Sequence, residues 1–158
     1  MKFKGIIDID QPLAKVAALF ANPTHLGEYQ KRFLRKEVFS GIAGEDGAIS
    51  KMYYKMGNRE MELTETITAN RLPYSFEASY HHKHMDNTLT STFTKLSDTK
   101  TRFIWEGEYT AFRGLIPKMM AFFVPKIFEK QAQQWMDNFK KFAEKQYVYF
   151  TYEKGCLS

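Results

Sequence analysis

Cysteine is nearly absent from this chain. Cys156 stands alone, so no internal disulfide forms, and the usage points to a reducing compartment, the cytoplasm. It lies third from the end, one place off the position that a prenylation box requires. Long hydrophobic runs are also missing. The longest, Met119–Val124, is far too short to span a bilayer. The two lysines of MKFKGIIDIDQ precede an apolar run that breaks at Asp8 and Asp10, which does not fit a signal peptide. Phosphate-loop, calcium-loop, nucleophile-elbow and Cys/His metal spacings do not occur, so no cofactor and no metal is expected. The net charge of +5 reads as a solubilising excess. No Arg/Lys cluster is interleaved with stacking aromatics, which excludes nucleic acid as an expected partner. Repeats, low-complexity tracts and dividing linkers are lacking as well. The 158 residues therefore read as one domain.

Aromatic residues are plentiful. Phe, Tyr and Trp make up 16% of the chain, enough for a dense core or for an aromatic-lined cavity. The longest helical pattern is Leu115–Gln146. From Phe128 onward, Ala132, Trp135, Met136, Phe139, Phe142 and Ala143 share one face at about 100° per residue, with charged residues opposite. Such a stripe needs one partner surface, and the strands supply it. Lys2–Asp8 reads as the first strand. Asp10 is a candidate N-cap for a helix in which Pro12 occupies the first turn, burying Leu13, Val16, Ala17 and Phe20. Asn22-Pro23 stops that helix and caps a short second one around Thr24–Gln30. Further strands follow at Phe33–Ser40, Ile49–Met56, Arg59–Thr68, Ser75–His82, Thr88–Leu96 and Arg102–Phe112.

Gly57-Asn58 is a two-residue hairpin signal that fixes register. It sets Met56 opposite Arg59, Tyr54 opposite Met61, Met52 opposite Leu63 and Ser50 opposite Glu65. The other face then pairs Lys55 with Glu60 and Tyr53 with Glu62. For the last hairpin, a three- or five-residue loop segregates apolar from polar side chains. It sets Leu89 opposite Tyr109 and Phe93 opposite Trp105. Gly107, between Trp105 and Tyr109, suggests a bend or bulge that lets the sheet curl. The expected fold is α+β: a curved antiparallel sheet of about seven strands around one long C-terminal helix, with two short helices after the first strand.

Several stretches carry a resemblance. IDIDQPLAKVAALFANPTHLGEYQ at Ile7–Gln30 resembles the opening strand, capped helix and Asn-Pro turn of the helix-grip superfamily of START-domain, birch-pollen-allergen-like and polyketide-cyclase-like proteins. Tyr29 stands where that family often has tryptophan. Thr64–Tyr80 is similar to its strand–turn–strand around a proline, Thr99–Tyr109 to its final strand, and Phe128–Gln146 to its C-terminal helix. The resemblance covers residues 1–147 as one ligand-binding domain and leaves 148–158 as a tail. It implies a cavity between sheet and helix that binds a hydrophobic small molecule such as a lipid, sterol or polyketide. A minority of such proteins are cyclases or hydrolases, and fold does not select among these.

Projected inward, Met52, Tyr54, Met61, Leu63, Phe76 and Tyr80 line one side of that cavity, and Leu89, Phe93, Trp105 and Tyr109 the other. Phe128, Gln131 and Trp135 approach from the helix. Glu65 points inward by register. Unpartnered there, its carboxylate would be costly to bury and would serve as a general base or as an anchor for a ligand hydroxyl or amine. Strand twist would instead bring it to the barrel mouth, solvated or paired. The enzyme alternative uses Glu65 with Tyr54, Tyr80 or Tyr109 as proton donors. His81, His82 and His84 lack the further ligands that a metal site needs. Leu115, Met119, Phe122 and Phe123, ahead of a kink at Pro125, are expected to form a lid over the entrance. The same segment, with Lys118 and Lys126 near its ends, would alternatively rest transiently on an anionic membrane. The chain is expected as a monomer or weak dimer, or, in a third reading, as a closed-core interaction module.

Overall fold

The computed structural model describes residues 1–115, 118–119 and 125–155, without the side chains of 125 and 147–155. The Gly57-Asn58 hairpin forms in the register that its loop length dictates. Strands β3 (Ile49–Met56) and β4 (Arg59–Arg71) pair Met56 with Arg59, Tyr54 with Met61, Met52 with Leu63 and Ser50 with Glu65. Met52, Tyr54 and Ser50 are buried, while Lys51 and Glu62 on the other face form an ion pair of 2.9 Å.

Around this hairpin runs a seven-stranded antiparallel sheet. The remaining strands are β1 (Lys2–Ile9), β2 (Phe33–Ser40), β5 (Ser75–His82), β6 (Met85–Ser97) and β7 (Lys100–Phe112). Their order is β1-β7-β6-β5-β4-β3-β2, so β1 and β2 are the edges. Helix α1 (Leu13–Ala21), a single 3₁₀ turn (Pro23–His25) and α2 (Leu26–Tyr29) link β1 to β2, and the described part of the long helix is α3 (Pro125–Gly155). This is the helix-grip architecture. Asn22 caps the 3₁₀ turn, its Oδ1 accepting from the Thr24 N–H at 3.0 Å. Asp10 does not cap α1. That helix starts without a side-chain cap, and Pro12 stands one residue ahead of it. The β1–α1 junction is used to dock α3 instead. The Asp10 N–H donates to Glu144 at 3.0 Å, buried Gln11 donates to the Ala143 carbonyl at 2.8 Å, and Lys140 donates to the Asp8 carbonyl at 2.6 Å.

The β6–β7 hairpin differs from expectation. Its turn has two residues, Asp98-Thr99, and a bulge follows at once between Lys95 and Ser97. Phe93 therefore faces Phe103, and Leu89 faces Gly107, two residues off the expected register. The bulge restores the face parity that the turn alone would have reversed, so the apolar face still points inward. Gly107 marks no bulge. It is paired with Phe3, and a Cβ there would sit 2.2 Å from the Phe3 ring. Glycine is thus the seat for an aromatic side chain from the neighbouring strand. Gly5 plays the same part against the helix, where a Cβ would meet Met136 Sδ at 2.3 Å.

Helix α3 packs chiefly on β1 and α2 through buried Ala132, Met136, Phe139 and Ala143. Phe20, Phe93, Phe103 and Phe139 fill one end of the space beneath it with ring centroids 4.7 to 6.2 Å apart. Among the described residues, no helix is long and apolar enough to cross a membrane. Leu115 and Met119 are exposed, whereas Phe122, Phe123 and the expected kink at Pro125 lie outside the described residues.

The Gly107 contact yields a measurable expectation. Gly107→Ala should destabilise the fold by about 1–3 kcal/mol, and the same change in a Phe3→Ala background should cost much less. Urea unfolding of the four proteins tests this coupling. Equal costs in both backgrounds would contradict the seat.

Candidate functional site

Beyond the Phe cluster the space stays open. A cavity of about 420 Å³ lies between the sheet and α3. Thirteen of the fourteen side chains expected from the sequence are on its wall. β3 and β4 contribute Met52, Tyr54, Met61, Leu63 and Glu65; β5, β6 and β7 contribute Phe76, Tyr80, Leu89, Trp105 and Tyr109; α3 contributes Phe128, Gln131 and Trp135. Phe93 is set back in the filled core, stacked on Phe103 at 4.7 Å. Tyr54 and Trp135 lie nearly parallel with centroids 6.1 Å apart, and Trp105 is a further 6.1 Å from Trp135. The indole N–H groups of both tryptophans are buried without an acceptor among the described residues, which costs about 1–3 kcal/mol each.

One ion pair interrupts this apolar wall. Glu65 is 4% exposed, and it is neither solvated nor unpartnered. Lys36 Nζ donates to its Oε1 at 2.5 Å, and the Tyr80 hydroxyl donates to its Oε2 at 2.9 Å. The sequence did not point to Lys36, because regular alternation along β2 puts Phe33, Arg35 and Glu37 on one face. The structure has a bulge between Phe33 and Arg35, so Phe33 faces Tyr54 and Lys36 faces Met52. Phe33 and Lys36 thereby share the inner face, with Val38 continuing along the cavity wall. A glycine-free edge strand gives no local signal for such a bulge. Tyr29, Gln30 and Phe20 are among the other wall residues that strand projection passed over. The Tyr54 hydroxyl donates to Gln30 Oε1 at 2.6 Å.

Burial raises the pKa of all the cavity tyrosines. It is the largest cause for Tyr29 and Tyr54, where neighbouring charge, including that of the Glu65 carboxylate, adds to it. Tyr80 is pushed well up by burial and then by Glu65. Tyr109 is pushed up to about 12 by burial alone. All four are therefore neutral donors at physiological pH. His82 reaches the wall near the β5–β6 turn, its pKa lowered by burial and by His84, Lys83 and His81. His81 pairs with Asp86 at 2.6 Å, and Arg113 pairs with the same carboxylate. No group of His, Cys, Asp and Glu among the described residues is arranged to hold a metal ion.

A family model described as polyketide cyclase / dehydrase and lipid transport matches residues 1–144. No curated protein matches the chain. Among solved structures, the chain is similar to the Zhui aromatase/cyclase from Streptomyces sp. R1128, with a TM-score of 0.76 and 8% identity over 92% of this chain and 94% of that one. It is similar to a conserved protein from Geobacillus kaustophilus, with a TM-score of 0.73 and 13% identity over 92% and 96%. It is also similar to Ara h 8.0201, with a TM-score of 0.69 and 10% identity over 90% and 97%. At these identities the likeness concerns the fold.

Removing one partner of a buried ion pair strands the other charge. Lys36→Met should cost about 3 kcal/mol, at the low end of the buried range because Lys36 keeps 19% of its side chain exposed. Lys36→Met with Glu65→Leu should recover most of that loss in urea unfolding; additive losses would show that the charges are not coupled. The tyrosines give a pH test. An unfolded phenol titrates near pH ~10, and raised folded values mean that stability is intact below that pH and falls as pH rises through them. Ultraviolet titration of the folded protein should leave Tyr29, Tyr54, Tyr80 and Tyr109 protonated at pH ~10, releasing their protons only with alkaline unfolding. Full ionisation without unfolding would contradict their burial.

Proposed function

We propose that this chain, which belongs to the polyketide cyclase / dehydrase and lipid transport family, binds a hydrophobic small molecule between its sheet and α3 and acts as a carrier or sequestering protein. The observation that carries this reading is a cavity of about 420 Å³ with a wall of Met and aromatic side chains and one buried ion pair. A volume of this size suits a multi-ring or lipid-like ligand. Such a wall adapts to apolar shapes, and a few polar groups fix orientation. The stranded indole N–H groups belong to a wall that is not optimised as a sealed core.

A second reading is a cyclase- or hydrolase-like enzyme in which Glu65 and the cavity tyrosines move protons. The contact between the Tyr80 hydroxyl and Glu65 supports it. Both carboxylate oxygens already accept hydrogen bonds, which favours anchoring over proton abstraction.

Native mass spectrometry of protein purified from its own cells, followed by organic extraction, should reveal a co-purifying apolar compound. Protein that is recovered empty and takes up no fluorescent fatty-acid or sterol probe would overturn the carrier reading. For a substrate that is found, unchanged turnover by Glu65→Gln would remove Glu65 from the enzyme reading.

A further inference from the structure

We infer that the Lys36–Glu65 pair selects neutral, hydroxyl-bearing ligands and excludes anionic ones, so that the ligand is an apolar alcohol or phenol and not a fatty-acid-like carboxylate. This rests on the reading of the cavity as a ligand site and adds the chemistry of the ligand's polar end.

The inference follows from counting donors and acceptors. Lys36 Nζ carries three N–H groups and gives one to Glu65; it has no second acceptor among the described residues. The Glu65 carboxylate accepts one hydrogen bond on each oxygen, from Lys36 and from Tyr80, and each oxygen keeps a further lone pair. Both groups are on the cavity wall. With Nζ and Oε1 only 2.5 Å apart, one hydroxyl oxygen placed beside them can accept from Lys36 and donate its proton to Glu65. The pair is neutral as a unit, so a neutral ligand adds no uncompensated charge to a low-dielectric space. A carboxylate ligand has no proton to give and would place a second negative charge against Glu65. Lys36, the one Lys or Arg among the described wall residues, is already engaged, and the other polar groups near the pair, among them the Ser50 hydroxyl and the Tyr29, Tyr54 and Tyr80 phenols, carry no charge to offset it. Selectivity therefore comes from a repulsive element as well as an attractive one. The same counting predicts an inversion. Glu65→Gln removes the negative charge and leaves the Lys36 ammonium beside an apolar cavity, where an anionic ligand supplies the missing partner.

The test uses three probes that share one ring system at neutral pH: naphthalene, naphthol and naphthoate, measured by fluorescence and calorimetry on the full chain. The wild-type protein should bind naphthol about tenfold more tightly than naphthoate, with naphthalene between them. Glu65→Gln should reverse the order of naphthol and naphthoate by a similar factor. Lys36→Met with Glu65→Leu, which removes both charges together, should bind naphthalene, lose the preference for naphthol over naphthalene and still disfavour naphthoate, so a folded variant is available even where the single change is unstable. If naphthalene and naphthol bind but wild type takes naphthoate equally well or better, the selectivity inference fails and the cavity reading survives. A Glu65→Gln protein that keeps the wild-type order also overturns the inference. If none of the three binds, the cavity reading fails and takes the inference with it.

Discussion

The seat of α3 against β1 sets the rest of the structure. Gly5 has no side chain, and Met136 occupies the space where one would be. Gln11, Lys140 and Glu144 then clamp the helix to the β1–α1 junction. The helix packs chiefly on β1 at one edge of the seven-stranded sheet and on α2, and reaches β3 only through the Trp135 ring against Tyr54 among the described ring contacts. The Phe20, Phe93, Phe103 and Phe139 rings fill the gap at one end, and the remainder is the cavity. The void is thus a consequence of where the helix is anchored. Filling it would need larger side chains on β3–β5 or a helix moved off Gly5.

A void of this kind makes its polar wall residues expensive, and the chain answers with pairing. Glu65 sits on a central strand and Lys36 on an edge strand, brought together across β3 by the bulge that turns Lys36 inward. The edge strand matters because a bulge there disrupts one ladder only. Lysine also keeps part of its stem near solvent, which lowers the desolvation cost that two buried charges carry. The two tryptophan N–H groups have no such answer among the described residues.

The sequence made the fold legible where local rules agree with tertiary demand. The two-residue Gly57-Asn58 turn, alternating apolar residues and cross-strand charges all specified one register, and Glu65 was placed inward from that alone. The α3 stripe was equally clear, because 3.6-residue periodicity survives any partner. Legibility failed where one residue inserts into a strand. The two-residue turn and the bulge before Ser97 together moved Phe93 from Trp105 to Phe103, and the bulge after Phe33 hid Lys36. Neither bulge has a glycine or other local signal in its strand. Gly107 was read as a bend or bulge, but it is the seat of the Phe3 ring, on a strand a hundred residues away in sequence. Likewise, α3 runs to Gly155, past the point where the apolar stripe ends.

The central claim is that the space between α3 and the sheet admits a ligand. The chain has only two tryptophans, and both are on the cavity wall. The indole N–H resonances of Trp105 and Trp135 in a ¹H–¹⁵N spectrum therefore report on this space alone. Titration with naphthalene should shift both resonances together along one saturable curve. Indole resonances that stay in place while the ligand perturbs only surface amides would show that the cavity is closed to ligands.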